Sequence, residues 1–313
     1  MKTYDFFAHL DPVVFAKLHL RLDLDPWQAQ ALRATHRRVI LNCCRQSGKT
    51  TAAAVAAVHH LLFARHADLM VVSATEAQAG ETVQRILRFL AELGEEVRRH
   101  PGRRFEYEVA STGARFRALP AREASVRGYT ATFIIIDEAA RVPDDVYHAL
   151  CGTLATTWHR AGLWIISTPR ERRGFYYDLW TGSDEDGFLR IKITAHECPR
   201  IMPEYLEQQK RKLPEWRFKQ EFLGEFGDTA IAVFTAEDIQ AACNAPKAPH
   251  LSPHHIEVLG APKAHFIIGL DHAQTNDHPA LTILQKRPDD QLLIRYLERL
   301  PTGIHYPDLI NYL

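Results

Sequence analysis

The sequence predicts an α/β protein built on a mostly parallel sheet with helices on its faces. Between residues 38 and 93, short apolar runs rich in β-branched residues alternate with longer helical patterns, which is the order of strand, crossover helix and strand. Two later apolar runs, TFIIIDEAA and LWIISTP, end in polar residues, as buried parallel strands do where a site lies at their carboxyl ends. We therefore expect polar, functional side chains along the carboxyl edge of this sheet.

Composition narrows the class of protein further. The 313 residues are 46% hydrophobic, which is enough to build the cores of about two domains. Lysine plus arginine and aspartate plus glutamate both number 38, so no overall basic field indicates a nucleic-acid partner, and none excludes a local basic patch. The five cysteines form no CxxC pair, and the first residues lack the apolar core of a signal peptide. These features predict a soluble cytoplasmic protein without a membrane span.

The elements of the first half follow in order. Two short helices, broken by LDLDP, occupy 12–36 and precede the strand RRVILNCC. The helix TTAAAVAAVHHLLFA, the strand DLMVVSA and the helix TEAQAGETVQRILRFLAEL come next. FEYEV and ARFRAL, separated by Ser111-Thr112-Gly113, predict an inserted hairpin before the two strands that end in polar residues. We expect this core to span 1–180.

The pattern changes after residue 180. A strand, FLRIKIT, precedes two helical stretches, EYLEQQKRKL and EWRFKQEFLGEF, within 181–228. A connecting segment follows over 229–262, and it is rich in Pro, His and Ala towards its end. Three strand-like runs, HFIIGLDHA, ALTILQK and LLIRYLERL, with a tight turn at PDDQ, predict the start of a second domain over 263–313.

The segment CCRQSGKT joins a strand to a helix and predicts a phosphate-binding loop. It matches the end of the pattern G-x-x-x-x-G-K-[ST], although Cys43 stands where the first glycine belongs. Lys49 would reach the β- and γ-phosphates, and the Thr50 hydroxyl would ligate Mg²⁺. A tight strand–helix turn with an exposed lysine is the alternative. The loop residues that we expect to contact ATP are Gln46, Ser47, Gly48, Lys49 and Thr50.

An acidic pair ends the strand FIII. Asp137 and Glu138 follow four buried apolar residues, where two carboxylates are costly unless they bind something. Asp137 would hold Mg²⁺ through its water shell, and Glu138 would orient and deprotonate the attacking water. A helix N-cap by Asp137 beside an exposed Glu138 is the alternative. Together with the loop upstream, the pair predicts a P-loop NTPase that hydrolyses its nucleotide.

The base of the nucleotide is predicted to be adenine. The chain has no N-K-x-D element for reading guanine and no D-x-x-G switch, which disfavours a GTPase. Pro26-Trp27-Gln28 lies upstream of the loop, where Trp27 offers an aromatic face and Gln28 a bidentate amide. Packing of Trp27 on the core at a helix start remains open beside base contact.

The order of these motifs resembles the large terminase subunit of tailed bacteriophages, the ATPase of a DNA-packaging motor. The resemblance covers nearly the whole chain and rests on DPWQ, RQSGKT, SVRGYTATFIIIDEAARVP, IISTPRERRGFYYDLW, RFKQEFLGEF and FIIGLDHA. That family commonly lacks the first glycine of the loop and carries arginine and glutamine inside it. The resemblance implies an ASCE, or RecA-like, P-loop core, a lid subdomain over 181–228 and the start of an RNase H-like nuclease domain at 263.

The resemblance also implies roles for four further residues. Arg45 would neutralise the γ-phosphate as an arginine finger acting in cis, and Arg127 would complete the site of a neighbouring subunit. An ordinary salt bridge is the alternative for both. Ser167 and Thr168 would sense hydrolysis at a strand end and couple it to the lid. Plain capping of the strand end is the alternative for these two residues.

A nuclease site is implied by the last strands, with Mg²⁺ or Mn²⁺ as its metal. Asp271 ends the strand FIIGLD and matches the first metal carboxylate of the family. Asp277 and the neighbouring histidines are better explained as turn residues. Asp289-Asp290 lie in the opposite turn and Glu298 at the far end of its strand, so we expect an incomplete site and no DNA cleavage by the chain as written.

The resemblance implies ATP-driven translocation of double-stranded DNA into a prohead. The partners would be double-stranded DNA, the portal protein and the small terminase subunit. The subunit would be a monomer in isolation and a homo-oligomeric ring when assembled at the portal in the host cytoplasm. A superfamily 2 helicase or translocase shares the loop and the acidic pair, but it needs a second RecA-like domain where RNase H-like strands are predicted. An inactive prophage remnant is a further alternative, although every catalytic position of the ATPase half is intact.

Overall fold

The computed structural model describes residues 6–34, 38–183, 187–227, 265–271, 278–287, 290–301 and 303. It divides into two compact units, Met1–Val233 and Phe234–Leu313. Each unit is considered by itself. The connecting segment predicted over 229–262 lies outside the described residues.

Three short helices open the first unit: α1 Phe6–Leu10, α2 Pro12–His19 and α3 Pro26–Arg33. An aspartate precedes the proline that begins each of α2 and α3, the favoured arrangement at a helix N-terminus. Asp11 accepts a hydrogen bond from the Val13 N–H at 2.8 Å. The N–H of Asp25 donates to the Gln28 side chain at 2.9 Å, so Gln28 closes the first turn of α3. The predicted helix pair broken at LDLDP is confirmed.

An eight-stranded sheet forms the centre of the first unit, in the order β3-β4-β5-β2-β6-β7-β1-β8. All neighbouring strands are parallel except β3, β4 and β5, which pair antiparallel with one another. The strands are β1 Arg38–Cys43, β2 Asp68–Ser73, β3 Val97–Arg99, β4 Glu106–Val109, β5 Arg115–Pro120, β6 Phe133–Asp137, β7 Gly162–Ser167 and β8 Phe188–Ile193. The predicted α/β class with a mostly parallel sheet is confirmed.

Helices cover both faces of this sheet. Because side chains alternate along a strand, Val39 and Leu41 of β1 pack into one core and Ile40 packs into the other. The helices are α4 Lys49–Phe63, α5 Glu76–Glu92, α6 Glu123–Val126, α7 Asp144–Thr153, α8 Phe175–Thr181, α9 Pro203–Lys212 and α10 Glu215–Leu223. None of the helices in the described ranges has the length and hydropathy needed to cross a bilayer.

The strand β8 is a correction to the predicted organisation. It was expected to open a separate lid, but it pairs in parallel with β1 from Arg38↔Phe188 to Cys43↔Ile193 and is an edge strand of the main sheet. The physical reason is that its apolar side chains are buried on both faces of the sheet, Phe188 in one core and Ile191 and Ile193 in the other. The main sheet therefore extends beyond residue 180.

The predicted hairpin is present, and it is longer than expected. β4 and β5 pair antiparallel as predicted, and β5 also joins β2 in parallel, so the hairpin continues the main sheet. β3 was not predicted, because its sequence Val97–Arg99 is short and carries two arginines in place of an apolar run.

Among its described residues, the second unit has three antiparallel strands in the order β11-β10-β9. They are β9 His265–Asp271, β10 Ala280–Lys286 and β11 Leu292–Arg299, where the sequence predicted strands. Part of the predicted turn PDDQ lies outside the described residues.

Candidate nucleotide-binding site

The loop between β1 and α4 has the backbone form of a phosphate cradle. Gln46 and Gly48 adopt left-handed φ angles of 63° and 92°, and α4 begins at Lys49 directly after Gly48. The φ of 92° at Gly48 would strain any other residue, and a Cβ there would lie 2.8 Å from the Gln28 Nε2 atom, so the Gln28 side chain would have to move. The first N–H groups of α4 thus lie beside an open loop, an arrangement that suits an anion.

Cys43 replaces the first glycine of the pattern as a buried packing residue. Its side chain is fully buried at the end of β1, and burial raises the pKa of the Cys43 thiol to about 12. The thiol therefore stays protonated and behaves as a small apolar group. The loop forms without a glycine at that position.

Lys49 connects three motifs that are far apart in the sequence. Its Nζ atom lies 3.3 Å from the Glu138 Oε1 atom and 3.4 Å from the Thr168 Oγ1 atom. The carboxyl ends of β1, β6 and β7 meet at one edge because these strands are parallel and β7 lies between the other two. Lys49, Glu138 and Thr168 therefore form one cluster at the carboxyl edge, where the sequence predicts polar side chains.

Asp137 is held in place by two donors. The Thr82 hydroxyl donates to Asp137 Oδ2 at 2.6 Å, and the Glu138 N–H donates to Asp137 Oδ1 at 2.9 Å. Burial raises the pKa of the Asp137 carboxyl, whereas the Thr82 hydrogen bond and the charge of Lys49 lower it. Thr82 lies on the buried face of α5, and no motif marks it in the sequence.

Glu138 has a strained backbone. Its φ of 52° is left-handed, a conformation that a non-glycine residue rarely adopts, and such strain clusters at functional sites. Its side chain is about one-third exposed, at 31%, so solvent reaches it beside the buried Asp137. The two neighbouring carboxylates therefore occupy different environments, as the predicted division between a metal residue and a base requires.

The end of β7 contacts both the acidic turn and the lysine. Ser167 accepts a hydrogen bond from the Ala140 N–H at 3.1 Å and donates to the Thr168 carbonyl at 2.8 Å. Thr168 accepts from Lys49. A displacement of Lys49 would therefore change the contacts of Thr168, and a displacement of the turn after Glu138 would change those of Ser167. Capping of the strand end explains the Ser167 contacts equally well.

The donor set fits a hard divalent cation. Asp137 supplies a buried carboxylate, and Thr50 presents a half-buried hydroxyl on the first turn of α4. Carboxylate and hydroxyl oxygens beside phosphate oxygens are the ligands that Mg²⁺ uses in nucleotide sites, usually with several waters.

Trp27 and Gln28 have different environments. Trp27 is 7% exposed, and its indole N–H donates to Asp25 Oδ2 at 3.2 Å. Its ring packs in the core, as in the alternative to base contact that the sequence left open. The Gln28 Nε2 atom donates to the Gly48 carbonyl at 3.2 Å, so this side chain contacts the phosphate loop itself. Contact of either residue with adenine stays a prediction.

The two arginines with implied finger roles lie in different places. Arg45 is in the loop, mostly exposed, with its Nη1 atom 3.5 Å from the Glu221 Oε2 atom of α10. Arg127 is not in the Lys49 cluster. It lines a surface pocket of about 340 Å³ against α7, together with Tyr129 and His148. Its position leaves a role in a neighbouring subunit as a prediction.

Three contacts around the loop have no sequence signal. Arg200 donates to the Ser47 carbonyl at 2.6 Å, and the Asn42 amide donates to the Gly224 carbonyl at 3.0 Å. The Cys44 and Cys198 sulfur atoms are 3.8 Å apart. Residues after β8 therefore enclose the outer side of the loop, a contact that only the tertiary structure reveals.

The carboxylates of the second unit are arranged differently from the prediction. Glu298 pairs with Leu281, which pairs with Leu270, so Glu298 lies at the same end of the sheet as Asp271, and the predicted far end is wrong. The cause is that two antiparallel steps return β11 to the direction of β9. The two residues occupy opposite faces, because Asp271 shares its row with Ala280 and Arg299. Within the described ranges, no group of three or more His, Cys, Asp or Glu could hold a metal.

The family model described as "Terminase large subunit, T4likevirus-type, N-terminal" matches residues 40–241. The chain belongs to this family. A curated relative, the large terminase subunit of Thermus phage G20c, is 27% identical over 310 residues, covering 86% of this chain and 61% of the relative. The chain thus spans about three-fifths of that terminase. The resemblance drawn from the motifs is confirmed.

Solved terminase structures share the fold. The large terminase ATPase domain of Thermus phage P74-26 has a TM-score of 0.61 at 24% identity, covering 69% of this chain and 99% of that domain. The large terminase of bacteriophage HK97 has a TM-score of 0.63 at 16% identity, covering 91% of this chain and 66% of that terminase. A large terminase from a thermophilic bacteriophage, solved in complex with ADP, has a TM-score of 0.54 at 14% identity, covering 92% of this chain and 71% of that terminase. The chain therefore has the α/β fold of large terminase ATPase domains.

Proposed function

We propose that this chain binds ATP with Mg²⁺ at the loop 43–50 and hydrolyses it as part of a DNA-packaging motor. The observation that carries the proposal is the contact of Lys49 with Glu138 and Thr168, which joins the loop, the acidic pair and the end of β7. An exposed lysine on an ordinary turn would not be 9% exposed between a carboxylate and a hydroxyl. The loop N–H groups and Lys49 would hold the phosphates.

Activation of the attacking water by Glu138 follows from competition between the triphosphate and Glu138 for the Lys49 ammonium. A triphosphate carries more negative charge than one carboxylate, so it draws the Lys49 ammonium away from Glu138. Glu138 then has both oxygens available to accept a proton from water, which is the role of a general base. Asp137 and Thr50 would hold Mg²⁺, which would supply charge neutralisation at the phosphates when bound. The same movement of Lys49 releases the Thr168 hydroxyl, through which Ser167 and Thr168 would report the nucleotide state.

Adenine recognition and the arginine fingers belong to the same proposal. Arg45 lies in the loop and would act on the γ-phosphate in cis, and Arg127 would act on the site of a neighbouring subunit. The surface position of Arg127 in the pocket against α7 suits a role in trans, since a neighbouring subunit can reach it there. Gln28 would read adenine from the loop side.

A basic turn supports double-stranded DNA as a partner. This turn, at the junction of β3 and β4, is formed by the exposed residues Arg98, Arg99, His100, Arg103 and Arg104. Arg99 and Arg104 have no carboxylate partner among the described residues. Glu106 pairs with Arg117 and Glu108 with Arg115, so β4 begins towards the carboxyl end of β5. The basic turn therefore lies at the carboxyl edge of the sheet, as the phosphate loop does. Clustered arginines of this kind bind phosphate backbones without reading sequence.

The packaging role extends the proposal to assembly. We propose that the chain acts with the portal protein and the small terminase subunit, as a ring of identical subunits at the prohead portal in the host cytoplasm. The family match and the basic turn support this role. The helices within 181–227 would act as the lid, since the backbone N–H of Arg45 donates to the Glu221 carbonyl of α10 at 3.0 Å.

The test is ATP hydrolysis with and without double-stranded DNA. We expect DNA-stimulated turnover, and we expect Arg99→Glu with Arg104→Glu to abolish the stimulation but leave basal turnover intact. Arg65→Glu is the matched control, since Arg65 is exposed at the opposite edge of the sheet. Turnover without any DNA response would remove DNA from the proposal, and strand separation of a forked duplex would favour a helicase instead.

A further inference from the structure

Arg200, in the loop after β8, donates hydrogen bonds both to Asp25 and to the phosphate loop. Its Nη1 and Nη2 atoms donate to Asp25 Oδ1 and Oδ2 at 3.0 and 2.6 Å, a bidentate pair. The Nη2 atom also donates to the Ser47 carbonyl at 2.6 Å. Arg200 thereby joins the N-terminus of α3 to the turn that precedes Gly48.

The contact to Ser47 fixes the orientation of the peptide group between Ser47 and Gly48. In a planar trans peptide, the C=O and the following N–H point in opposite directions. With the Ser47 carbonyl directed outward to Arg200, the Gly48 N–H is directed into the loop. The Gln28 amide holds the Gly48 carbonyl in the same way, so the Lys49 N–H is also directed inward.

Arg200 and Gln28 form one outer wall, and Asp25 organises both. Asp25 is the bidentate partner of Arg200, and its own N–H donates to the Gln28 Oε1 atom. The wall is close to the loop, because a Cβ on Gly48 would meet Gln28 at 2.8 Å and Arg200 at 3.3 Å. Glycine at this position therefore allows the wall to contact the backbone.

We infer that Arg200 is a positioning residue for ATP binding, which orients the N–H groups of the phosphate loop through the Ser47 carbonyl. The inference rests on the proposed function and adds a residue outside every motif of the sequence. The alternative is a purely structural ion pair between Arg200 and Asp25. The Arg200 side chain is 48% exposed, whereas that of Asp25 is 10% exposed. The two roles are separable by their readouts, since loss of an ion pair lowers Tm and loss of loop orientation raises the KM for ATP.

The experiment compares Arg200→Ala with Arg33→Ala as a matched control. Arg33 also pairs with an aspartate at the N-terminus of a helix, Asp11 at 3.1 Å, but does not contact the loop. We expect Arg200→Ala to raise the KM for ATP and the Kd of a fluorescent ATP analogue about tenfold, as for a lost charge-assisted hydrogen bond. We expect kcat to stay within about twofold of the parent. The bound substrate and the transition state both lose the loop orientation provided by Arg200, so the barrier between them is nearly unchanged. Arg33→Ala should leave all three unchanged.

Two conservative variants separate positioning from folding. Arg200→Lys keeps a charged donor and should recover part of the affinity, whereas Asp25→Asn loosens the guanidinium and should raise the KM without a large change in Tm. Should Arg200→Ala not fold, these two variants carry the test. A parental KM in Arg200→Ala, or a lower kcat at unchanged KM together with a lower Tm, would overturn the positioning role. Absence of ATP binding and turnover in the parent would instead refute the proposed function.

Discussion

Thr82→Val tests how a hydrogen bond opposes protonation of the buried Asp137 carboxyl. The Thr82 hydroxyl donates to Asp137 Oδ2 at 2.6 Å, and valine keeps the shape of the side chain but has no donor. A hydrogen bond to a charged group contributes about 1.5–3 kcal/mol. Since about 1.4 kcal/mol corresponds to a factor of ten, the ionised form of Asp137 loses about 10- to 100-fold in stability relative to its protonated form.

The sign of the pH effect follows from the causes of the pKa shift. Burial already raises the pKa of Asp137, and the Thr82 hydrogen bond opposes this rise. Removing the hydroxyl raises the pKa further, so the acid limb of kcat/KM moves to higher pH. The ratio of parent to Thr82→Val should be about 10 to 100 at the acid end of the profile and should approach one where Asp137 is ionised in both proteins.

The assay is steady-state ATP hydrolysis with saturating Mg²⁺ across the pH range in which both proteins stay folded. Thr82→Ser keeps the hydroxyl and is the control, with an expected profile close to that of the parent. A Thr82→Val profile that superimposes on the parent, or one lowered equally at every pH, would refute the assigned relation between Thr82 and Asp137.

Three further predictions concern the loop, the subunit contact and the second unit. Lys49→Ala should weaken ATP binding and lower turnover together, measured by nucleotide titration and steady-state kinetics; parental values would remove Lys49 from the site. If Arg127 acts in trans, specific activity should rise with protein concentration, and Lys49→Ala subunits should partly rescue Arg127→Ala; concentration-independent activity without rescue would refute this role. Plasmid DNA with Mn²⁺ should stay intact, because Asp271 and Glu298 lie on opposite faces of their sheet; cleavage that disappears in Asp271→Ala would contradict this expectation.

The strands and the central cluster were predictable from the sequence for a physical reason. Buried parallel strands are nearly continuous apolar runs, and their polar ends are visible as Asp137 and Ser167. Parallel strands place those ends at one edge, where the sequence also placed Lys49. The contact of Lys49 with Glu138 and Thr168 therefore follows from local patterns and a general rule of sheet topology.

The outer wall and the hydrogen bond from Thr82 to Asp137 were not predictable in this way. Thr82 and Arg200 lie outside every motif, and each reaches the site through a contact across 55 or 153 positions of the chain. Such contacts depend on how helices and loops pack on the sheet, which periodicity does not encode. For the same reason, the apolar pattern of FLRIKI predicts a strand but not its place beside β1.

The position of Glu298 was a different kind of error. The three strands of the second unit were correctly recognised, and two antiparallel steps necessarily bring the ends of β9 and β11 to the same side. The expected far end is wrong because two reversals of strand direction bring Glu298 to the end at which β9 finishes. Strand direction alone does not show which face of the sheet each residue occupies. The pairing register shows that Asp271 and Glu298 lie on opposite faces.

Glu138→Gln is the most direct test of the proposed ATPase site. Glutamine keeps the size of the side chain and cannot accept a proton from water, so turnover should fall by about 10² or more. Binding of ATP with Mg²⁺, measured by titration of the same preparation, should persist, since Lys49, Thr50 and Asp137 remain. Loss of hydrolysis with retained binding is the predicted result. Hydrolysis by Glu138→Gln at the parental rate would contradict the account.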